Sequence, residues 1–152
     1  MANTIVLKGD PVYKEAVANG AITPGHLLQF NSNDKIEVHG TAKGNAQPMF
    51  AIEESIVGDD IDDAYAADDT VLYVVARPGD EINALLKNGE NVAKGDFLES
   101  AGDGTLQKHT AIAADEGGSA TYTIYTRGIV AMAMEDLNNT TGSAARIRVE
   151  AM

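Results

Sequence analysis

Ile22-Thr23-Pro24-Gly25-His26-Leu27-Leu28 and, later in the chain, Val92-Ala93-Lys94-Gly95-Asp96-Phe97-Leu98 are two statements of one phrase. In each, a hydrophobic residue leads through two intervening positions to glycine, a polar side chain and a hydrophobic pair. Glycine supplies the positive φ that a tight turn needs, and the flanking apolar residues return the chain to the interior. Short apolar runs separated by such turns are the pattern of a small, heavily turned β domain.

Working outward from these phrases, Leu27 to Phe30 runs into the turn Asn31-Ser32-Asn33-Asp34, and Lys35-Ile36-Glu37-Val38-His39 alternates polar and apolar residues. The pair reads as a hairpin. Met49-Phe50-Ala51-Ile52-Glu53 is a further strand, and Thr70-Val71-Leu72-Tyr73-Val74-Val75-Ala76 is the clearest buried one, ending at the turn Arg77-Pro78-Gly79-Asp80. Leu106 to Ile112, Ala120 to Thr126, Ile129 to Met134 and Ala145 to Glu150 supply additional strands. Two segments suggest short helical turns. One is Ala64-Tyr65-Ala66-Ala67, and the other is Glu81 to Lys87, where Ile82, Leu85 and Leu86 can share a helical face. The expected architecture is mainly β, a compact barrel-like or β-tulip-like domain with short helical turns, spanning residues 21–152.

Residues 1–20 are read separately. Thr4-Ile5-Val6-Leu7 is a short β-like opening, Gly9-Asp10-Pro11 breaks it, and Val12 to Ala18 has alanine-rich content but is too short for a stable helix. The segment is either an arm that orders against a partner or an edge strand on its own domain. The expected core comprises Ile22, Leu27, Phe30, Ile36, Val38, Phe50, Ile52, Val71, Tyr73, Val75, Leu85, Leu98, Ile112, Ile124, Ile129, Ile147 and Val149.

The 152 residues fit one domain with a real core. Cysteine is absent from the sequence, so there is no disulfide framework. The opening residues show no basic leader followed by an apolar core, so no secretory signal is expected, and no stretch has the apolar length of a membrane-spanning helix. Lys and Arg number 11 against 23 Asp and Glu, a formal net charge of -12. Phosphate backbones are held by basic contacts, so nucleic acid and anionic membrane are poor partners for this charge.

The candidate sites are few. Glu53, Glu54, Asp59, Asp60, Asp62, Asp63, Asp68 and Asp69 crowd one segment without the spacing or glycine of a calcium loop, and read as a solvated surface or a contact for a basic partner. His26, His39 and His109 have no neighbours at zinc-ligand spacing and no serine-elbow context, so neither a metal nor a catalytic centre is expected. No cofactor is expected either. Met132 and Met134 are adaptable side chains on alternate positions, which suits either core packing or a subunit interface.

Beyond these local readings, the chain resembles a known family along residues 20 to 150. The resemblance runs through Ala21 to Leu28, Lys35 to His39, Met49 to Glu53 and Ile61 to Tyr65, then Arg77-Pro78-Gly79-Asp80-Glu81-Ile82-Asn83-Ala84-Leu85-Leu86. It continues through Asn88 to Ser100, Gly102-Asp103-Gly104-Thr105-Leu106 and Arg146-Ile147-Arg148-Val149. In these phrases the chain is similar to the capsid decoration, or cement, proteins of tailed bacteriophages. The resemblance implies a β-rich body that forms a homotrimer on the outer surface of the expanded head, binds the major capsid protein and stabilises the shell without catalysis. It also implies an N-terminal segment that adds a strand to a capsid loop, here Thr4, Ile5, Val6 and Leu7. Removal of residues 1–20 is then expected to abolish binding and leave the body folded.

Gly89 to Leu98 also looks like the turn of biotinyl and lipoyl carrier domains, which need a lysine at an exposed hairpin tip. Neither Lys87 nor Lys94 has that setting. A different virion structural subunit and a small carrier or carbohydrate-binding β domain are the alternatives.

Overall fold

The computed structural model describes residues 3–115, 121–124 and 128–152. In chain order the strands are β1 (Val6–Lys8), β2 (Val12–Val17), β3 (Leu28–Phe30), β4 (Ile36–Val38), β5 (Met49–Ala51), β6 (Thr70–Val75), β7 (Glu81–Leu86) and β8 (Asn91–Val92). They continue as β9 (Phe97–Ser100), β10 (Leu106–Lys108), β11 (Ile112–Asp115), β12 (Thr121–Ile124), β13 (Ile129–Ala133), β14 (Leu137–Asn138) and β15 (Ala145–Ala151). The mainly β expectation holds.

The barrel closes through β7-β10-β9-β13-β15 and back to β7, with β1 added as an extra strand. The strand β7 is its organiser. Along one edge it pairs antiparallel with β15, from Ala145↔Leu86 to Glu150↔Glu81. On its other edge β1 occupies the first part, at Val6↔Ile82, and β10 the last, at Leu106↔Leu86. Alternate residues Ile82, Ala84 and Leu86 point into a core that includes Leu98, Leu106, Val130, Ile147 and Val149.

Among the described residues there is no helix, which corrects the expectation of helical turns. All six residues of β7 are buried, so the apolar spacing that suggested a helical face belongs to a strand covered on both sides. Leu85 and Asn83 face outward from the barrel, beneath the Gly25 turn and Arg146. Tyr65, in the other expected turn, forms an isolated bridge with Ile22.

A second sheet, β2-β6-β5, lies against the barrel. Its central strand divides two cores by simple alternation. Phe50 and Val74 face the barrel core, whereas Met49, Ala51, Val71 and Tyr73 face a smaller cluster with Ala18, Ile22, Leu28 and Ile36. The expected β3–β4 hairpin closes that smaller cluster, in the register Leu28↔Val38 and Phe30↔Ile36. Phe30, expected in the core, is instead exposed at the hairpin end, its ring edge-on to Tyr73 with centroids 6.2 Å apart. Ile112 and Ile124 pair across β11 and β12, and their side chains lie outside the described residues.

Two glycines set the joint between the layers. Gly25 has φ 94°, and a Cβ there would lie 2.4 Å from Arg146 Nη1 and 3.0 Å from the Asn83 carbonyl oxygen. Gly104 has φ 81°, with a Cβ position 2.9 Å from Val38 Cβ. Both the left-handed backbone and the close approach require glycine.

Residues 5–18 do not extend from the body as a free arm. Ile5 is fully buried in the barrel core and Ala18 in the smaller one. The Ile5 N–H donates to Glu53 Oε2 at 3.0 Å, and its carbonyl accepts from Asn83 N–H at 2.8 Å. Pairing with β7 and β6 gives this segment backbone partners in the isolated chain.

Candidate interaction surface

The most exposed part of the sheet is β2. It pairs with β6 from Val12↔Val75 to Val17↔Thr70 and sits at the sheet's edge. Ala18 N–H continues the ladder by donating to Asp69 O at 2.8 Å. Antiparallel alternation then turns the Ala16, Lys14 and Val12 backbone groups toward β6, and those of Tyr13 and Glu15 away from it. Val17 lies beside the bridge that joins Ala18 to Ile36, so the open edge is centred on Tyr13 and Glu15. Tyr13 is 61% exposed, Val12 and Val17 are also exposed, and a shallow cleft of about 240 Å³ is lined by Tyr13, Lys14, Glu15 and Leu72. An unpaired edge with apolar side chains on both faces is a template for an added strand. The family resemblance implies that role for Thr4-Ile5-Val6-Leu7. Of these, Thr4 is exposed, Ile5 is buried, and Val6 and Leu7 are partly buried.

Met132 lies on β13 opposite Phe97 on one side and Glu150 on the other, partly buried on the outer wall of the barrel. Phe97 is exposed, so the two side chains form an outward apolar patch. Met134 follows β13, partly buried, with its N–H donating to Arg148 O at 2.9 Å. No sequence signal linked Phe97 with Met132, because their adjacency comes from strand register.

The acidic segment is built rather than loose. Asp63 Oδ2 accepts from Asp60 N–H, Asp60 Oδ1 from Asp62 N–H, and Asp69 Oδ2 from Ala66 N–H, at 2.9, 2.8 and 2.8 Å. Much of the aspartate density is therefore turn chemistry, with carboxylates accepting backbone donors within the loop. Arg146 ties the loop to the barrel, donating to the Pro24 and Ile61 carbonyls and to Asp62 Oδ1. A polar cleft of about 290 Å³ beside the loop is lined by Glu54, Asp59, Asp63, Tyr65 and Asp69, among others. Burial pushes the Tyr65 phenol up to about 12, and its hydroxyl donates to Ile52 O at 2.8 Å. Among the described residues no group of three His, Cys, Asp or Glu side chains is placed to hold a metal ion.

The histidines sit in three structural settings. His39 Nδ1 is 2.7 Å from Ser100 Oγ, with Nε2 3.1 Å from the Asn45 carbonyl. This has the distance of a nucleophile–base pair, but Ser100 is completely buried and also accepts Gly102 N–H at 3.1 Å. The contact works as a tie between the end of β4 and β9. His109 Nδ1 meets Glu99 Oε2 at 2.5 Å, and Gln107 Nε2 donates to Glu99 Oε1 at 3.2 Å, around a carboxyl group with no solvent exposure.

His26 Nδ1 accepts from Thr23 N–H at 3.0 Å, closing the first glycine turn. Burial holds this imidazole below its ordinary value, against the smaller upward pull of Asp103, while Arg146 adds to the lowering. Protonation would also remove the acceptor that Thr23 uses. Because the unfolded chain binds this proton more readily, stability should fall as pH drops below 6.5, the ordinary histidine value. Denaturant midpoints at about pH 7 and pH 5 should differ less for His26→Gln than for the wild type, measured at equal salt.

The turn that resembles carrier domains is docked, not protruding. Gly95 N–H donates to Ala133 O and Lys94 N–H to Asp136 Oδ1, at 2.8 and 2.7 Å. The flanking strands β8 and β9 pair with β14 and with β10 and β13, not with one another.

No protein-family model matches the sequence, and no curated protein matches it. Among solved structures, the fold is similar to the head fiber gp8.5 N base in bacteriophage phi29. The TM-score is 0.54 at 14% sequence identity, over 94% of this chain and 95% of that one.

Proposed function

We propose that this chain is a non-enzymatic virion protein that sits on the outer surface of a tailed-phage head, binds the major capsid protein and stabilises the expanded shell. The observation carrying the reading is the end-to-end likeness of fold to a phage head fiber base. The turn phrases that resemble decoration proteins support it from the sequence side. Binding to the assembled shell in preference to its ruptured form would stabilise the shell by mass action, and many copies would amplify a modest contact.

Strand addition is the contact this surface favours. The open edge at Tyr13 and Glu15 takes the role first assigned to Thr4 to Leu7, because it needs no core residue to leave its place. The homotrimer belongs to the same proposal, with Met132 and Phe97, and Met134 beside them, as the contact between copies. Another virion structural role is the second reading, favoured by the likeness to a head fiber base.

The test is cosedimentation of the purified chain with heads assembled without it, followed by heating of decorated and bare heads. Binding with a higher rupture temperature supports the reading, and no binding sinks it. Glu15→Pro sharpens the test. Proline at an outward-facing N–H keeps the β2–β6 ladder but denies a partner its donor. Head affinity should fall at least about tenfold, or about 1.4 kcal/mol, with little change in melting temperature. Unchanged affinity would rule out strand addition at this edge.

A further inference from the structure

Among the described residues, Ile56 and Val57 are the most conspicuous apolar side chains on the surface, 90% and 64% exposed. They occupy the tip of a formed turn. Val57 N–H donates to Glu54 O at 3.3 Å, Gly58 N–H donates to Ser55 O at 3.2 Å, and Gly58 closes the turn with φ 92°. Both stems are anchored. Ile52 N–H donates to Leu72 O, and Ile61 is buried in the barrel core with its carbonyl held by Arg146. The tip is thus a projecting feature on a fixed base.

Both side chains are left largely in water in the isolated chain, and burial is what stabilises an apolar group. Both are β-branched and stiff at χ1, so they lose little freedom on docking. Glu53 and Glu54 precede them and Asp59, Asp60, Asp62 and Asp63 follow, an acidic collar along the sequence, and Glu54, Asp59 and Asp63 also line the polar cleft beside the loop. An apolar tip inside an acidic collar matches an apolar socket with a basic rim. The same collar disfavours an anionic lipid surface, a phosphate backbone and a second copy of a chain whose net charge is -12.

We propose that Ile56 and Val57 form a plug that inserts into an apolar socket rimmed by lysine or arginine on the capsid protein. The inference rests on the head-surface reading and adds to it a second contact, distinct from the β2 edge. It makes head binding bidentate, with a hydrogen-bonded edge at one site and an apolar anchor at the other.

The experiment measures binding to heads assembled without the chain, comparing wild type, I56D/V57D and the conservative I56V/V57I. The exposed tip can change without loss of fold, and an unchanged melting temperature for each variant establishes this. I56D/V57D should bind about 100-fold more weakly, or about 2.8 kcal/mol, while I56V/V57I stays near wild type. Wild-type affinity should also fall with added salt as the collar is screened. Wild-type binding with I56D/V57D within about threefold overturns the plug and leaves the head-surface reading standing. No wild-type binding overturns both. Tip-dependent binding to phosphatidylglycerol vesicles, or tip-dependent self-association by light scattering, would also overturn the protein socket by naming a different occupant.

Discussion

A variant lacking residues 1–20 should show no cooperative thermal unfolding. The deletion removes Ile5 from the barrel core and Ala18 from the smaller core. It also strips β1 from β7 and all of β2 from β6, across pairings that run from Val12↔Val75 to Val17↔Thr70. Burying the Ile5 side chain alone contributes roughly 1.5–3 kcal/mol. Glu53 and Asn83 lose their partners on Ile5, and each stranded polar group costs about 1–3 kcal/mol where it remains buried. Such losses are comparable with the roughly 5–15 kcal/mol that stabilises an ordinary domain. Calorimetry of the truncated chain is the check. A sharp transition within about 5 °C of the full-length midpoint would establish residues 1–20 as a separable arm.

Replacing Glu99 by alanine should produce the second large loss, about 3–5 kcal/mol in a denaturant titration. Its carboxylate has no solvent exposure and serves both His109 and Gln107. His109 Nε2 is already buried without a partner, so loss of the Nδ1 contact would leave the ring with neither nitrogen satisfied. The double variant Glu99→Leu/His109→Leu should lose less than Glu99→Ala, because it removes both polar groups together. If Glu99→Ala costs under about 1 kcal/mol, the buried pair does not hold β9 to the residues after β10.

Strands that alternate, or that are rich in β-branched residues, were legible in the sequence. Lys35 to His39 alternates because β4 has one face on the smaller core, and Thr70 to Val75 is apolar because β6 lies between two cores. The residues Glu81 to Leu86 were ambiguous because both faces are covered and, unlike β6 with its three valines, the run has one β-branched residue and sets Ile82, Leu85 and Leu86 at helical spacing. Ile5 was absent from the expected core for a different reason. Its burial depends on β1 meeting β7, a contact between distant parts of the chain that local pattern does not encode.

The candidate surface was less legible still. The acidic segment stood out at once, but the sequence could not separate carboxylates that close turns from those that do not. That distinction is visible in the bonds to the Asp60, Asp62 and Ala66 amides. Likewise Tyr13 and Glu15 became notable only when Ala18 fixed which backbone groups face outward. Strand identity is a local property, whereas an open edge depends on what the rest of the chain has left uncovered.

The flanking of β7 by β1 and β15 also governs how the molecule carries load. Both strands run antiparallel to β7, so the N-terminal end of the first points toward the Leu86 end of β7 and the C-terminal end of the last toward its Glu81 end. A pull applied between the two chain ends would slide these strands lengthwise in opposite directions. Ladder bonds lie across that direction and would have to yield together, not one after another as in peeling. The terminal strands thus form a shear joint, suited to transmitting tension through the barrel while keeping it closed.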